Sequence, residues 1–412
     1  MIRRALASVA AALALLTGPA GPALADQAVP SWQPRGEEVR GRASTADAPQ
    51  LDPGVLYRDT LSAAEGTKNY AVDLDAGRSA YLAVFALPEP GSEVAFGDGI
   101  RLTLTSTDGT RCDSDYRTFS ADGAARPIGT WVKRTIGEGE QCQQAHAYVL
   151  EVTRTSQGTS DAAPWPLQIR FTNEPGLVDG ATPGPALSPG TQTPVPASGT
   201  GGRTSGGTDF ASAAALAPGV WKDEVRPGQT RFYRVPVAWG QQAWVAADFA
   251  NARVTKPGGY SGSGVRLEVY NPRWAFVRTD TAAYAGRPAS VTTTTGRVAY
   301  ANRYESSDLV SAARFDGSYY LAVTVHPEVA GFIGGAVPVT LRVDVEGTAQ
   351  AGPSYDGDPT GDLGLPGEPG SGNPVLRAFG FAALGAGTVL LLSLAVWVAA
   401  ARRPRAAASG GR

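Results

Sequence analysis

Residues 69–77 read NYAVDLDAG and residues 232–240 read FYRVPVAWG. In each, an aromatic starts an alternation of apolar residues that a glycine closes: Tyr70, Val72, Leu74 and Gly77, then Tyr233, Val235, Val237 and Gly240. A period of two over a short run is the pattern of a half-buried strand. Both stretches follow a Pro-Gly-Val and a basic-Asp pair: Pro53, Gly54, Val55, Arg58 and Asp59, then Pro218, Gly219, Val220, Lys222 and Asp223. Both precede an aromatic-aliphatic-Ala step, Tyr81-Leu82-Ala83 and Trp244-Val245-Ala246. The echo continues at Arg101-Leu102 and Arg266-Leu267, at AYVLEVT (147–153) and SYYLAVT (318–324), and at PLQIRF (166–171) and PVTLRV (338–343). The offset stays between 163 residues (69 to 232) and 172 (166 to 338). The body of the chain therefore reads as two copies of one all-β unit, not as one large enzyme domain.

The same period recurs inside each copy. Ile100, Leu102 and Leu104 match Val265, Leu267 and Val269, and Tyr148, Leu150 and Val152 match Tyr319, Leu321 and Val323. No window between the termini shows a stripe at the 3.6-residue period of a helix. Short strands punctuated by Gly, Asp and Pro predict a two-sheet sandwich or jelly roll in each unit.

Composition shifts divide the chain. Residues 1–25 read as a secretory signal peptide: Arg3 and Arg4, an apolar run over 5–16, and Ala23-Leu24-Ala25 as the cleavage site. Residues 26–50 read as a flexible polar lead and 51–175 as the first β-sandwich. Residues 176–208, nearly all small or polar, read as a Pro/Gly/Thr/Ser linker. As a flexible coil that linker would span roughly 30 Å. The second β-sandwich covers 209–347, and a Gly/Pro-rich stalk covers 348–374. Residues 378–401 carry no charge and are long enough to span a bilayer as a transmembrane helix. Arg402, Arg403 and Arg405 open a basic tail, 402–412, which positive-inside logic places in the cytoplasm, with the body outside.

With these elements in order, the chain resembles the bacterial pre-peptidase C-terminal family. The resemblance lies in Tyr233, Val235, Val237 and Gly240, and in the late strand with Gly317, Tyr319, Tyr320 and Val323. The first unit carries Tyr70, Val72, Leu74, Gly77 and Tyr148, with His146 and Ala147 where the late glycine would stand. The resemblance implies non-catalytic β-sandwiches attached to a secreted protein.

The residues that carry chemistry are few. With 36 basic and 38 acidic residues the net charge is −2, and no basic patch points to nucleic acid. Two histidines, His146 and His326, occupy non-equivalent places in the two copies, and no triad, zinc or phosphate-loop spacing surrounds them. No catalytic residue and no cofactor is expected. Cys112 and Cys142 read as a disulfide in an exported chain. The acids of TDGTRCDSD (107–115), Asp108, Asp113 and Asp115, are the candidate calcium ligands, because alternate carboxylates on a loop supply hard oxygens. The second copy has no such element. The segment 271–316 has no counterpart pattern in the first unit, so its Trp274, Tyr284, Tyr300 and Tyr304 are the candidate ligand-binding surface.

The expectation is an all-β chain of two tandem β-sandwich or jelly-roll-like domains plus one C-terminal transmembrane helix. It would be a non-enzymatic binding or assembly module at the cell membrane, with a protein partner in the envelope or wall glycan as its target. A carbohydrate-binding module for wall glycan and a secreted hydrolase with a site hidden from sequence are the alternatives.

Overall fold

The computed structural model describes residues 29–360, apart from 122, 189 and 191–196. The expected signal peptide, transmembrane helix, basic tail and the end of the stalk lie outside the described residues. Among the described residues no helix is long and apolar enough to cross a membrane.

The first unit holds ten strands: β1 (Glu37–Glu38), β2 (Gln50–Leu51), β3 (Leu56–Leu61), β4 (Thr67–Leu74), β5 (Arg78–Ala86), β6 (Gly99–Ser106), β7 (Arg111–Thr118), β8 (Ile128–Arg134), β9 (His146–Thr155) and β10 (Trp165–Pro175). They form two five-stranded sheets, ordered β1-β3-β10-β5-β8 and β2-β4-β9-β6-β7. The second unit repeats this with β11 (Gly202–Arg203), β12 (Ala214–Ala215), β13 (Gly219–Val225), β14 (Thr230–Val237), β15 (Gln242–Phe249), β16 (Ser261–Tyr270), β17 (Phe276–Tyr284), β18 (Ala289–Thr294), β19 (Gly317–Val325) and β20 (Val337–Glu346). Its sheets run β11-β13-β20-β15-β18 and β12-β14-β19-β16-β17, so each strand of the first unit has a counterpart ten strands later. Two-residue strands pair parallel at one edge of every sheet, and all other pairings are antiparallel. Alternation in the sequence becomes burial: Tyr70, Val72, Leu102, Leu150 and Ile169 fill one sandwich, and Tyr233, Val235, Leu267, Leu321 and Leu341 fill the other.

The basic-Asp pair is a clasp built twice. Asp59 Oδ2 accepts from the Gly41 N–H and the Tyr70 hydroxyl, both at 2.8 Å. Asp223 Oδ2 accepts from the Gly206 N–H and the Tyr233 hydroxyl, both at 2.7 Å. A Cβ on Gly41 or Gly206 would stand 2.7 Å from the tyrosine ring, so only glycine admits this approach. The clasp explains why segments read as lead and linker are ordered. Residues 36–51 and 201–215 carry no apolar period because each contributes only two two-residue edge strands, one to each sheet of its unit, with the chain between them held by side-chain-to-backbone bonds.

The segment 271–316 is less specific to the second copy than its sequence implies. Strands β17 and β18 are the counterparts of β7 and β8. The part confined to this copy is the β18–β19 connection, with a 3-10 helix at Tyr300–Tyr304 and a short helix, α1, at Asp308–Ala312.

Candidate functional site

The two sandwiches share a third core. The outward face of the β5–β8–β10 sheet meets the outward face of the β14–β19–β16 sheet through Trp32, Phe85, Phe210, Phe232, Trp274 and Tyr320. Ring centroids lie 5.0 Å apart for Trp32 and Phe210, 5.1 Å for Phe210 and Trp274, and 4.7 Å for Phe210 and Tyr320. Edge-to-face and tilted pairs at such distances contribute about 0.5–1.5 kcal/mol each beyond the area they bury. The guanidiniums of Arg170 and Arg273 sit over Trp274 and Tyr81, at 4.6 and 5.0 Å from the ring centroids.

A buried ion pair locks one side of this junction. Glu174, at the end of β10, is 1% exposed and accepts two bonds from Arg303, at 2.7 and 2.9 Å. The hydroxyls of Tyr81 and Tyr355 each donate to it at 2.7 Å. Burial alone would raise Glu174, but the Arg303 guanidinium outweighs it and holds the carboxyl down at about 2. Burial and the neighbouring carboxylate push Tyr81 up to about 12. Tyr355 belongs to residues read as a stalk. That strand of chain runs back across both units: Val178 N donates to Ser354 O at 3.0 Å, Asp356 N to Gly176 O at 2.9 Å, and Arg273 to Pro359 O at 3.0 Å. The linker is likewise tied down, with Leu187 N on Asn302 Oδ1 and Gly190 N on Gln242 Oε1, both at 2.8 Å.

The four aromatics offered as a ligand surface do not share a face. Trp274 is 1% exposed in the shared core. It lies within a turn in which Asn271 Oδ1 accepts from Arg273 N and Ala275 N, where it adopts a φ of 68°. Tyr284 is buried in the second sandwich, its hydroxyl donating to Ala250 O at 2.6 Å. Tyr300 is buried beneath the Arg303 guanidinium, 3.5 Å from its ring centroid. Tyr304 alone of the four is exposed, at 48%, and its hydroxyl reaches Ile136 O of the first unit at 3.2 Å. Trp244, the counterpart of Tyr81, is half-buried on the outer face of its sheet.

The acids of 107–115 are also dispersed. Asp108 caps the β6–β7 turn, where the Ser106 hydroxyl and the Thr110 N–H hold it down at about 2. Asp113 accepts from Lys133 N at 2.9 Å, and Asp115 accepts from the Thr130 hydroxyl, so both bridge the open edge between β7 and β8. The second copy keeps this device. Asp280 stands opposite Leu267 as Asp115 stands opposite Leu102, and it accepts from Thr292 N of β18 at 2.8 Å. Among the described residues no group of three His, Cys, Asp or Glu side chains could hold a metal ion. His146 stacks on Tyr148 at 4.4 Å between ring centroids, and His326 Nδ1 caps the 3-10 helix Pro327–Gly331 by accepting from Glu328 N.

Beside this edge lies a polar groove of about 690 Å³ along β7 and the end of β8. One wall is the loop 136–145. The disulfide Cys112–Cys142 joins that loop to β7. Cys142 has a φ of 58°, a strained value for a side chain with a Cβ. The Tyr148 hydroxyl holds it there by donating to Cys142 O and Gln144 O at 2.9 and 2.7 Å. Gln143 braces the same loop through Gly137 N, Thr135 O and Gln141 O. Tyr304 supports its start from the second unit. The sequence showed the cysteines and the acids of this groove, but not Tyr116, which follows them on β7, nor Lys133 and Arg134, which come from β8.

No protein-family model and no curated protein matches the sequence. Similar solved structures include the pre-peptidase C-terminal domain of collagenase from Bacillus anthracis. It is 10% identical over 31% of this chain and 95% of that one, with a TM-score of 0.21. FlgD from Xanthomonas campestris is 20% identical over 31% of this chain and 75% of that one, with a TM-score of 0.17. The CBM22 tandem domain from Paenibacillus barcinonensis is 10% identical over 68% of this chain and 82% of that one, with a TM-score of 0.19. The neighbours thus include the family that the sequence motifs resemble, among other β-sandwich domains. At these TM-scores none of them bears on ligand, partner or activity.

Proposed function

We propose that the chain is a non-enzymatic extracellular binding or assembly module, held to the membrane by a single C-terminal anchor, whose two sandwiches work as one rigid body. The supporting observation is the filled junction. Crevices between domains are where ligand and catalytic clefts usually form. Here that space is occupied by Trp32, Phe85, Phe210 and Trp274 and closed by the Glu174–Arg303 pair. What remains for recognition is the outside of the fused pair. The alternative of a glycan platform on 271–304 loses its basis, since Trp274, Tyr284 and Tyr300 are buried.

The test is membrane crosslinking in the native host with the full chain and with Ala322→Glu, which places a charge in the shared core. A component recovered in stoichiometric amount with the wild type and lost with the variant supports the reading. Recovery that the variant leaves unchanged sinks the rigid-pair idea, and no stoichiometric component at all sinks the module. Turnover of a wall polymer by the purified chain would establish the hydrolase alternative instead.

A further inference from the structure

The groove beside the disulfide has the properties of a built anion site. Arg134 lines it and is 2% exposed. One of its nitrogens, Nη2, donates to Asp75 O, while Nε and Nη1 have no hydrogen-bond partner among the described residues. A buried guanidinium with two idle donors is costly unless something accepts from them. Burial also depresses its basicity, outweighing the opposing pull of Tyr148, Asp75 and Tyr81. Three further cations, Arg101, Arg111 and Lys133, line the same groove. The lining also carries three acids, Asp113, Asp115 and Glu140, of which Asp113 pairs with Lys133 at 3.4 Å, so the four cations of the groove exceed its carboxylates by one.

The remaining lining selects among anions. Tyr116 is 55% exposed, and the Arg101 guanidinium lies over its ring at 4.8 Å from the centroid. Ser114, Thr135, Glu140 and Gln141 offer hydroxyl, carboxylate and amide groups. Apart from Cys112 and Tyr116, no apolar or aromatic side chain among the described residues lines the groove, so it has little with which to hold the side chains of a peptide. A sugar ring stacks on one exposed aromatic face, its hydroxyls bond to carboxylates and amides, and a ring carboxylate meets guanidiniums bidentately. The wall is pre-shaped by the disulfide and by the strained Cys142, which lowers the ordering cost of binding. The second unit contains no cysteine, so the site belongs to one copy.

We propose that this groove binds an acidic saccharide, with its carboxylate received by Arg111 and Arg101 above the buried charge of Arg134 and a sugar ring laid on Tyr116. The inference rests on the reading of the chain as a binding module and names the ligand class of one face.

The test is calorimetric titration of the full chain, in mild detergent, with oligogalacturonate, with a neutral gluco-oligosaccharide of equal length, with polyglutamate and with inorganic phosphate. The expected result is saturable binding of oligogalacturonate alone, weakened roughly tenfold by Arg111→Gln and by Tyr116→Ala, each loss being that of one charge-assisted or stacking contact. Arg111 and Tyr116 are exposed, so these variants leave the fold intact, whereas Arg134→Met carries a risk of misfolding. Equal binding of the neutral oligosaccharide, tighter binding of polyglutamate, binding of phosphate alone, or affinity unmoved by both variants would each overturn the proposal. Absence of oligogalacturonate binding while a host component still crosslinks in stoichiometric amount defeats this inference and leaves the module reading standing.

Discussion

Glu174 shows how context reassigns one residue. Its counterpart is Glu346, 172 positions on, and the partner of each is also duplicated: Tyr81 donates to Glu174, and Trp244 Nε1 to Glu346 at 3.3 Å. In the second unit this pair lies on a half-exposed face. In the first it is sealed, and Arg303 and Tyr355 complete it. Removing one partner of a buried pair leaves an uncompensated charge, so Arg303→Ala is expected to cost about 3–5 kcal/mol in urea unfolding. Tyr355→Phe removes one bond to a charged acceptor and should cost about 1.5–3 kcal/mol. The pH dependence follows from the depressed carboxyl. The unfolded chain takes up its proton first, near 4.5, so the contribution of Glu174 is full above that value and disappears as pH falls towards about 2. Melting curves should show this loss in the wild type, and a shallower slope over the same window in Glu174→Gln.

At the scale of elements, single differences between the copies mark which faces meet. AYVLEVT and SYYLAVT differ at Ala147 against Ser318, at Val149 against Tyr320 and at Glu151 against Ala322. Tyr320 and Ala322 lie in the shared core, whereas Val149 and Glu151 are half-exposed. Strands β5 and β19 read as nearly continuous apolar runs because both of their faces are covered. Their counterparts β15 and β9 alternate because one face meets solvent. That contrast was legible in the sequence, yet a period-two reading alone does not separate a strand buried twice from one that is simply apolar. The loop 136–145 was legible only through its cysteines. Its bridge closes a separation of 30 residues, so Cys112→Ser with Cys142→Ser should lower stability by about 3–4 kcal/mol in the chain-entropy picture. Chemical denaturation under oxidising conditions measures this, and an effect near zero would show that the loop stays in place without its staple.

At the scale of the molecule, the sandwiches dock through unlike sheets. The sheet β1-β3-β10-β5-β8 of the first unit faces β12-β14-β19-β16-β17 of the second, whose counterpart in the first unit is the other sheet. The contact is therefore head-to-tail in character and not a two-fold pairing. It makes the chain one particle despite a Pro/Gly-rich connection. Small-angle scattering of the wild type should fit a single compact pair. Ala322→Glu should open the junction and lengthen the particle by up to roughly 30 Å, the reach of the released linker. An unchanged scattering profile for the variant would show that the ion pair and the Tyr355 strand suffice to hold the units together.

The sequence by itself determined the duplication, the all-β class, the strand faces within each sandwich and the cysteine pair, because these depend on local period and on residue type. Tertiary structure alone decided that Trp274 and Tyr300 are buried at the junction, that residues 201–208 and 348–360 are straps and not spacers, and that Arg134 shares a groove with Tyr116. Each of those outcomes depends on which outer faces come together across more than a hundred residues of chain. Local hydrophobic pattern records only that a face is apolar, and carries no information about what covers it.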